Sequence, residues 1–208
     1  LRKTSFAIST DESRFVLNGI FMSLKEHKVT LVATDGRRLA LAEEEVDIPS
    51  NSQGECIVPS KAINELNRLL GTKNDVEIKF TDNQAAFTLG SETGNGTLII
   101  SKLIDGNYPN YRQVIPREAK ERIAIVREEL LQALRRAEIM TSEKSNSVKL
   151  SFGKNKLEIT ANTPEVGEAR ESIAINYKGN EMAIAFNPTY MMDPLGNLDN
   201  DEIYVELI

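Results

Sequence analysis

Val32-Ala-Thr-Asp-Gly-Arg-Arg-Leu39 is a turn motif between two strand-like runs, residues 29–33 and residues 39–42. Its Thr34-Asp-Gly36 portion is typical of a turn, because aspartate accepts hydrogen bonds from nearby backbone N–H groups and glycine tolerates a positive φ. Two arginines and a leucine follow the turn immediately. Two cations followed at once by an apolar side chain are an unusual combination for a plain hairpin.

The composition favours a globular protein of one large domain or two small ones, since 40% of its 208 residues are hydrophobic and 27% are charged. No apolar run approaches the roughly 20 residues of a membrane helix. Cys56 is the only cysteine, and no signal peptide stands at the start, which together predict a reducing, cytoplasmic location. The first residue is Leu1 rather than methionine, which predicts a fragment of a longer protein.

The net charge of −6 argues against a protein that binds nucleic acid through bulk attraction to phosphate. A role on DNA would require cations that are concentrated on one surface. An amphipathic helix predicted over residues 60–70 offers such a surface, with Ser60 as its N-cap and Gly71 after its end. Its apolar face includes Ile63 and Leu66, and the opposite face carries a polar stripe of Lys61, Asn64 and Arg68.

Short runs with strand-like composition occupy most of the remaining first half, and Leu1–Ser9 has helix-compatible spacing. The predicted strands are 15–17, 20–24, 29–33, 39–42, 55–58, 76–80, 85–89 and 97–101. We interpret the glycine-containing stretch 90–96 as a hairpin tip, because it lacks the Gly-Lys-Ser/Thr ending of a phosphate-binding loop. Periodicity breaks at residues 105–111, which favours two domains, 1–112 and 113–208. A strand at 122–126 and a helix at 128–140 follow, and the inward face of that helix is predicted to carry Leu130, Leu131, Leu134 and Ala137.

The chain matches itself when it is shifted by 128 residues, which indicates an internal repeat. The shift places residues 18–24 on 146–152, residues 29–33 on 157–161, and the helix at 59–70 on 187–198. One residue less aligns 76–80 with 203–207. We therefore predict an α+β fold of two copies of one unit, with Pro194 kinking or shortening the helix of the second copy.

Several motifs resemble those of the bacterial DNA polymerase III beta subunit family, the sliding clamps, and they occur in the same order. They are Leu17-Asn-Gly19, Ala33-Thr-Asp-Gly-Arg-Arg-Leu-Ala40, Ile57-Val-Pro59, Ser101-Lys-Leu-Ile-Asp-Gly-Asn-Tyr-Pro-Asn-Tyr-Arg112, Ile159-Thr-Ala-Asn162 and Phe186-Asn187. The resemblance covers essentially the whole chain and assigns it to most of the second and part of the third of three family domains. It implies the DNA clamp fold, with helices on one face of antiparallel sheets.

The resemblance implies a non-catalytic processivity factor of the replicative polymerase. In this family a ring of two subunits encircles double-stranded DNA, so the full-length protein would be a homodimer. The partners implied are the DNA polymerase III alpha subunit, the clamp loader and repair polymerases, which bind through short linear motifs. Arg14 and Lys61 match positions near DNA, and Arg68 joins them from the polar stripe. No membrane, cofactor or metal is implied.

A pocket for these linear motifs is the second feature that the resemblance implies. The matching positions are Leu17, Thr34, Gly36, Arg37, Arg38, Leu39, Pro109, Gln113 and Val114 from the first copy, and Asn187, Tyr190 and Met191 from the second. Their apolar members suit a strand-like peptide with aliphatic and aromatic anchors.

Two other functions stay open at this point. An enzyme has little support, because the single His27 and the single Cys56 lack partners for nucleophilic catalysis and no cluster has metal-ligand spacing. A generic β-rich protein-interaction domain without a role on DNA is the main alternative. Peptide binding is the observation that best separates these possibilities.

Overall fold

The computed structural model describes residues 1–48, 52–71, 75–90, 96–143 and 145–208, and the chain divides into two compact units, Leu1–Val114 and Ile115–Ile208. In the first unit the regular elements are α1 (Arg2–Ser5), β1 (Gly19–Lys25), β2 (Lys28–Thr34), β3 (Leu39–Glu45), β4 (Gly54–Pro59), α2 (Ser60–Leu69), β5 (Val76–Phe80), β6 (Gln84–Leu89) and β7 (Thr97–Lys102). They form two antiparallel sheets, with strand orders β3-β2-β1-β4 and β5-β6-β7.

The second unit repeats the four-stranded sheet and the helix that follows it, whereas its other sheet has two strands instead of three. Its elements are β8 (Glu121–Val126), α3 (Arg127–Glu138), β9 (Val148–Gly153), β10 (Lys156–Thr163), β11 (Gly167–Ala174), β12 (Met182–Phe186), α4 (Pro188–Asn197) and β13 (Glu202–Leu207). The antiparallel sheets have the orders β11-β10-β9-β12 and β13-β8. The predicted α+β fold of antiparallel sheets and few helices is confirmed.

Strand registers show that the two units are copies. Met22 pairs with Leu31 in the first sheet, and Leu150 pairs with Ile159 in the second, so both partners move by 128 residues. The pair Ile20–Val58 likewise becomes Val148–Phe186. The predicted repeat is therefore confirmed at individual ladder positions of the two four-stranded sheets.

One connection departs from the repeat. Thr34 pairs with Leu39 in the first unit, whereas the equivalent Asn162 pairs with Glu168. The second unit therefore has one residue more between these paired positions. The two copies differ in length at the connection that carries the Thr34-Asp-Gly36 turn.

Each unit has its own hydrophobic core, built from the inward-facing residues of its sheets and helices. Ile63 and Leu66 of α2 are fully buried in the first core, as their spacing predicts. Leu130, Leu131, Leu134 and Ala137 of α3 are buried in the second, which confirms the apolar face predicted for that helix.

The predicted strand at 15–17 is wrong, because Glu12–Leu17 forms a 3-10 helix. The Asp11 carboxylate accepts a hydrogen bond from the Ser13 backbone N–H at 3.0 Å and so caps the start of this helix. Phe15 is 58% exposed rather than packed as a strand residue would be. A local side-chain cap overrides the strand propensity of the three residues.

Ser60 is not an N-cap but the first residue of α2, since Pro59 occupies the N-cap position and no side chain caps it. Instead, the Ser60 backbone N–H donates to the Asn18 carbonyl at 2.9 Å. Pro194 does not shorten α4, which has 10 residues, the same number as α2. Residues 91–95 of the predicted hairpin tip lie outside the described residues.

Candidate functional sites

The turn between β2 and β3 is held by the Asp35 side chain. Its Oδ1 accepts hydrogen bonds from the backbone N–H groups of Arg37 at 2.9 Å and Arg38 at 3.1 Å, and its Oδ2 accepts one from Arg38 Nε at 3.1 Å. Partial burial raises the pKa of the Asp35 carboxyl, but the hydrogen bonds from Arg37 and Arg38 outweigh it and lower that pKa below its ordinary value. The turn predicted from Thr34-Asp-Gly36 is confirmed.

Thr34 and Gly36 also determine the conformation of the turn. The Thr34 hydroxyl donates to the Arg38 carbonyl at 2.6 Å and accepts from the Gly36 N–H at 3.1 Å. Gly36 has φ of +86°, a conformation that favours glycine, and a Cβ atom there would collide with the Arg14 guanidinium. Both residues therefore set the backbone of the turn.

The two arginines of the turn have different surroundings. Arg38 is mostly buried, donates from Nη2 to the Phe6 carbonyl at 2.7 Å, and lies over the Phe6 ring at 5.6 Å. This arrangement ties the turn to the residues after α1. Arg37 is exposed, so its side chain is the cation of the pair that faces solvent.

Apolar side chains border the turn. Leu17 is buried at the end of the 3-10 helix, and Leu39 is half-buried opposite Thr34. Leu41, two residues further along β3, lies on the same sheet face as Leu39 and is 38% exposed. The turn thus combines fixed backbone, an exposed cation and accessible aliphatic surface, which is a combination suited to a peptide ligand.

Pro109, Gln113 and Val114 are all exposed. They belong to a segment in which the rings of Tyr108 and Tyr111 both pack against Phe21 of the first sheet. The Tyr108 ring stacks on Phe21 with a centroid distance of 5.3 Å, and its hydroxyl donates to the Val32 carbonyl at 3.4 Å. Burial raises the pKa of Tyr108 to about 12, so this hydroxyl stays protonated at neutral pH.

The predicted peptide-binding residues of the second unit lie at the start of α4. Asn187 is the N-cap of that helix, and its side-chain oxygen accepts from the Thr189 N–H at 3.0 Å. Tyr190 and Met191 are half-buried, and Met191 packs against the core of its unit. Asn187 and Met191 therefore have structural roles in addition to any ligand contact.

The polar stripe of α2 is exposed as predicted, since Lys61, Asn64 and Arg68 all face solvent. Arg68 forms a close ion pair with Glu65, which raises the pKa of Arg68 and lowers that of Glu65. Among the residues described, Lys61 forms no ion pair. Lys61 is consequently the cation of the stripe that is most available to an anionic ligand.

The Arg14 side chain contacts the turn of the first unit. Its Nη1 donates to the Asp35 carbonyl at 3.4 Å, and its Nε lies 3.7 Å from an Asp11 carboxylate oxygen. Sequence reasoning did not find this contact, because 21 residues separate the partners and no local pattern links them.

The described ranges hold no candidate metal centre. They contain no group of three or more His, Cys, Asp and Glu side chains that could hold a metal ion, and no helix long and apolar enough to cross a membrane. His27 lies in an exposed turn, 3.6 Å from Asp47. Burial raises the pKa of the Cys56 thiol to about 11, which disfavours the reactive thiolate.

Comparisons with known proteins agree with this architecture. The family model for the central domain of the DNA polymerase III beta subunit matches residues 1–110, and that for its C-terminal domain matches residues 112–208. The chain belongs to the beta sliding clamp family. It is 37% identical over 195 residues to the beta sliding clamp of Chlamydia pneumoniae, covering 94% of this chain and 52% of that relative.

Solved clamp structures match equally well. A crystal structure of the DNA polymerase sliding clamp from Pseudomonas aeruginosa superposes with a TM-score of 0.91 at 34% identity, covering 99% of this chain and 56% of that clamp. The clamp from Bacillus subtilis gives a TM-score of 0.90 at 36% identity, with coverages of 99% and 54%. The chain therefore spans about half the length of the clamps that it matches.

Proposed function

We propose that the chain is the central and C-terminal part of a processivity clamp for the replicative DNA polymerase, without catalytic activity of its own and located in the cytoplasm. In the whole protein, a closed homodimer would encircle double-stranded DNA and bind the polymerase alpha subunit, the clamp loader and repair polymerases. Membership of the clamp family supports this role, and domains 1–112 and 113–208 are the division we propose.

The turn between β2 and β3 is the observation that best supports peptide binding. Asp35 and Thr34 fix its backbone through hydrogen bonds of 2.6–3.1 Å, so its shape is set before a ligand arrives. Preorganisation of this kind lowers the cost of binding. We propose that Leu17, Leu39 and the exposed side of the turn contact the aliphatic anchor of a linear motif.

We propose that the remaining residues implied by the resemblance also contact the peptide. Those of the first unit are Gly36, Arg37, Arg38, Pro109, Gln113 and Val114. Those of the second unit are Asn187, Tyr190 and Met191. The exposure of Val114, at 69%, supports its availability to a ligand.

The affinity expected is modest. Burial of one aliphatic and one aromatic side chain contributes about 1.5–3 kcal/mol each. Ordering the peptide and the loss of its free motion offset part of that gain. We therefore expect a dissociation constant in the micromolar range or weaker for a single motif.

Leu39→Glu tests the peptide site. A carboxylate at this half-buried position would lose the apolar contact and carry a desolvation cost, so we expect binding to weaken by at least about tenfold. The measurement is fluorescence anisotropy of a labelled peptide in which glutamine precedes aliphatic and aromatic residues. Glu44→Ala, on the exposed end of β3, is the control. Equal binding by the two variants would place the peptide site elsewhere.

A further inference from the structure

A cleft of about 660 Å³ lies within the first unit, between β4, the end of β5 and the segment that follows β7. Four half-buried aromatic rings line it, and these belong to Phe21, Phe80, Tyr108 and Tyr111. Of the residues proposed for peptide binding at the turn, the cleft includes Pro109 alone. The cleft therefore differs from the turn between β2 and β3 in its lining residues.

One wall of the cleft is an open strand edge. β4 is the last strand of its sheet, and on its outer side the Ile57 carbonyl accepts from the Ile104 N–H at 2.9 Å. The N–H and C=O of a residue in an antiparallel strand point to the same side, and alternate residues share that side. The backbone of Glu55, two residues before Ile57, therefore also points away from β1.

Glu55 lines the cleft, and its backbone forms no hydrogen bond on this outer side with any residue that the structure describes. Backbone N–H and C=O groups on a sheet edge are a template for another strand. The edge at Glu55 can therefore pair with an extended peptide.

The rim of the cleft favours a cationic side chain. Asp82 and Asp105 are exposed there and form no ion pair with a described residue. The Glu55 carboxylate is already held by Lys25 at 2.7 Å, and the Arg112 guanidinium lies over the Tyr111 ring at 5.7 Å. Two carboxylates without a described ion pair, in the same cleft as four aromatic rings, suit an ammonium or guanidinium group through ion pairing and cation–π attraction.

We propose that this cleft binds an extended basic segment of a partner protein. The segment adds as a strand to the open edge of β4 at Glu55, and its arginine or lysine side chain lies between the aromatic rings and the carboxylates of Asp82 and Asp105. Strand addition supplies backbone hydrogen bonds, while the aromatic and acidic lining selects the side chain. The negative rim disfavours a nucleic acid at this place.

The test uses the 208-residue chain and a fluorescein-labelled peptide of alternating threonine and arginine, five residues long. A twin peptide with glutamine in place of arginine is the comparison. Anisotropy should show saturable binding of the arginine peptide and much weaker binding of the glutamine peptide. Equal affinity for the two peptides would overturn the cationic assignment.

The double variant Asp82→Asn with Asp105→Asn should weaken binding of the arginine peptide by roughly three- to tenfold, the range for two exposed charge pairs. The control is Glu44→Gln with Glu118→Gln, which removes the same two negative charges from exposed positions outside the cleft. If both double variants weaken binding equally, the loss of affinity reflects the overall charge of the protein, and the proposed site is refuted.

Backbone amide shifts in nuclear magnetic resonance spectra locate the ligand. The arginine peptide should shift the amide of Glu55 and slow its exchange with solvent, because a new strand covers that edge. Leu39→Glu should leave these changes intact, which separates this cleft from the peptide site at the turn. Shifts confined to residues 34–39 would assign the basic peptide to the turn and overturn the proposal.

Discussion

Gly36 has φ of +86°, and the Arg14 guanidinium lies where a Cβ atom would be. Gly36→Ala should therefore destabilise the protein by about 1–2 kcal/mol, the usual cost of a left-handed conformation for a residue with a side chain. Urea unfolding measures the change. Gly153→Ala is the control, because nothing lies within 4 Å of a Cβ atom there and its φ is not positive. A loss as large at Gly153 would contradict this reasoning.

Asp35 provides a pH-dependent prediction. Its folded-state pKa is lowered by the hydrogen bonds from Arg37 and Arg38, which outweigh the effect of burial. Its carboxylate therefore stabilises the fold above the unfolded-state pKa, and this contribution disappears as the pH falls through the folded-state value.

The difference in unfolding free energy between the natural protein and Asp35→Asn should be constant from pH 7 to about 5 and then shrink toward acid. Urea unfolding across that range measures it. A difference that stays the same at low pH would show that the charge of Asp35 does not stabilise the turn.

Among the elements, α2 carries the DNA-binding hypothesis. Arg68 is partly neutralised by Glu65, whereas Lys61 forms no ion pair among described residues. Lys61→Glu should weaken binding of a short duplex at low salt by roughly two- to tenfold, and Arg68→Glu should weaken it less. Lys154→Glu makes the same charge change on an exposed turn of the other unit. If it weakens binding as much as Lys61→Glu, the α2 surface is not the DNA site.

Helices with a clear apolar periodicity were predictable from the sequence, and so was the turn at Thr34-Asp-Gly36. The apolar face of α3 and the cap by Asp35 depend on residues a few positions apart. The contact of Arg38 with Phe6 was not predictable, because it joins residues 32 positions apart through a backbone carbonyl. The 3-10 helix at Phe15 was missed because its cap at Asp11 outweighs β propensity.

At the scale of the whole molecule, the two hydrophobic cores share no residue. Leu134→Ala, which empties a fully buried position of the second core, should cost about 2–5 kcal/mol. Hydrogen exchange should accelerate in residues 115–208 and stay unchanged in β1 and β2. Ile139→Ala, at a position 68% exposed, is the control. Equal acceleration in both units would show that they unfold as one.

The loop between β10 and β11 is one residue longer than the loop between β2 and β3, and this difference allows an experiment. Because Asn162 pairs with Glu168 in the second unit as Thr34 pairs with Leu39 in the first, the longer loop of the second unit can replace the shorter loop of the first without breaking the ladder. Transplanting residues 163–167 in place of 35–38 would give a chain with an intact sheet and no Asp35 cap. If the turn is the peptide site, such a hybrid should keep its folded structure but bind the labelled peptide more weakly, and anisotropy with that peptide would separate the two properties.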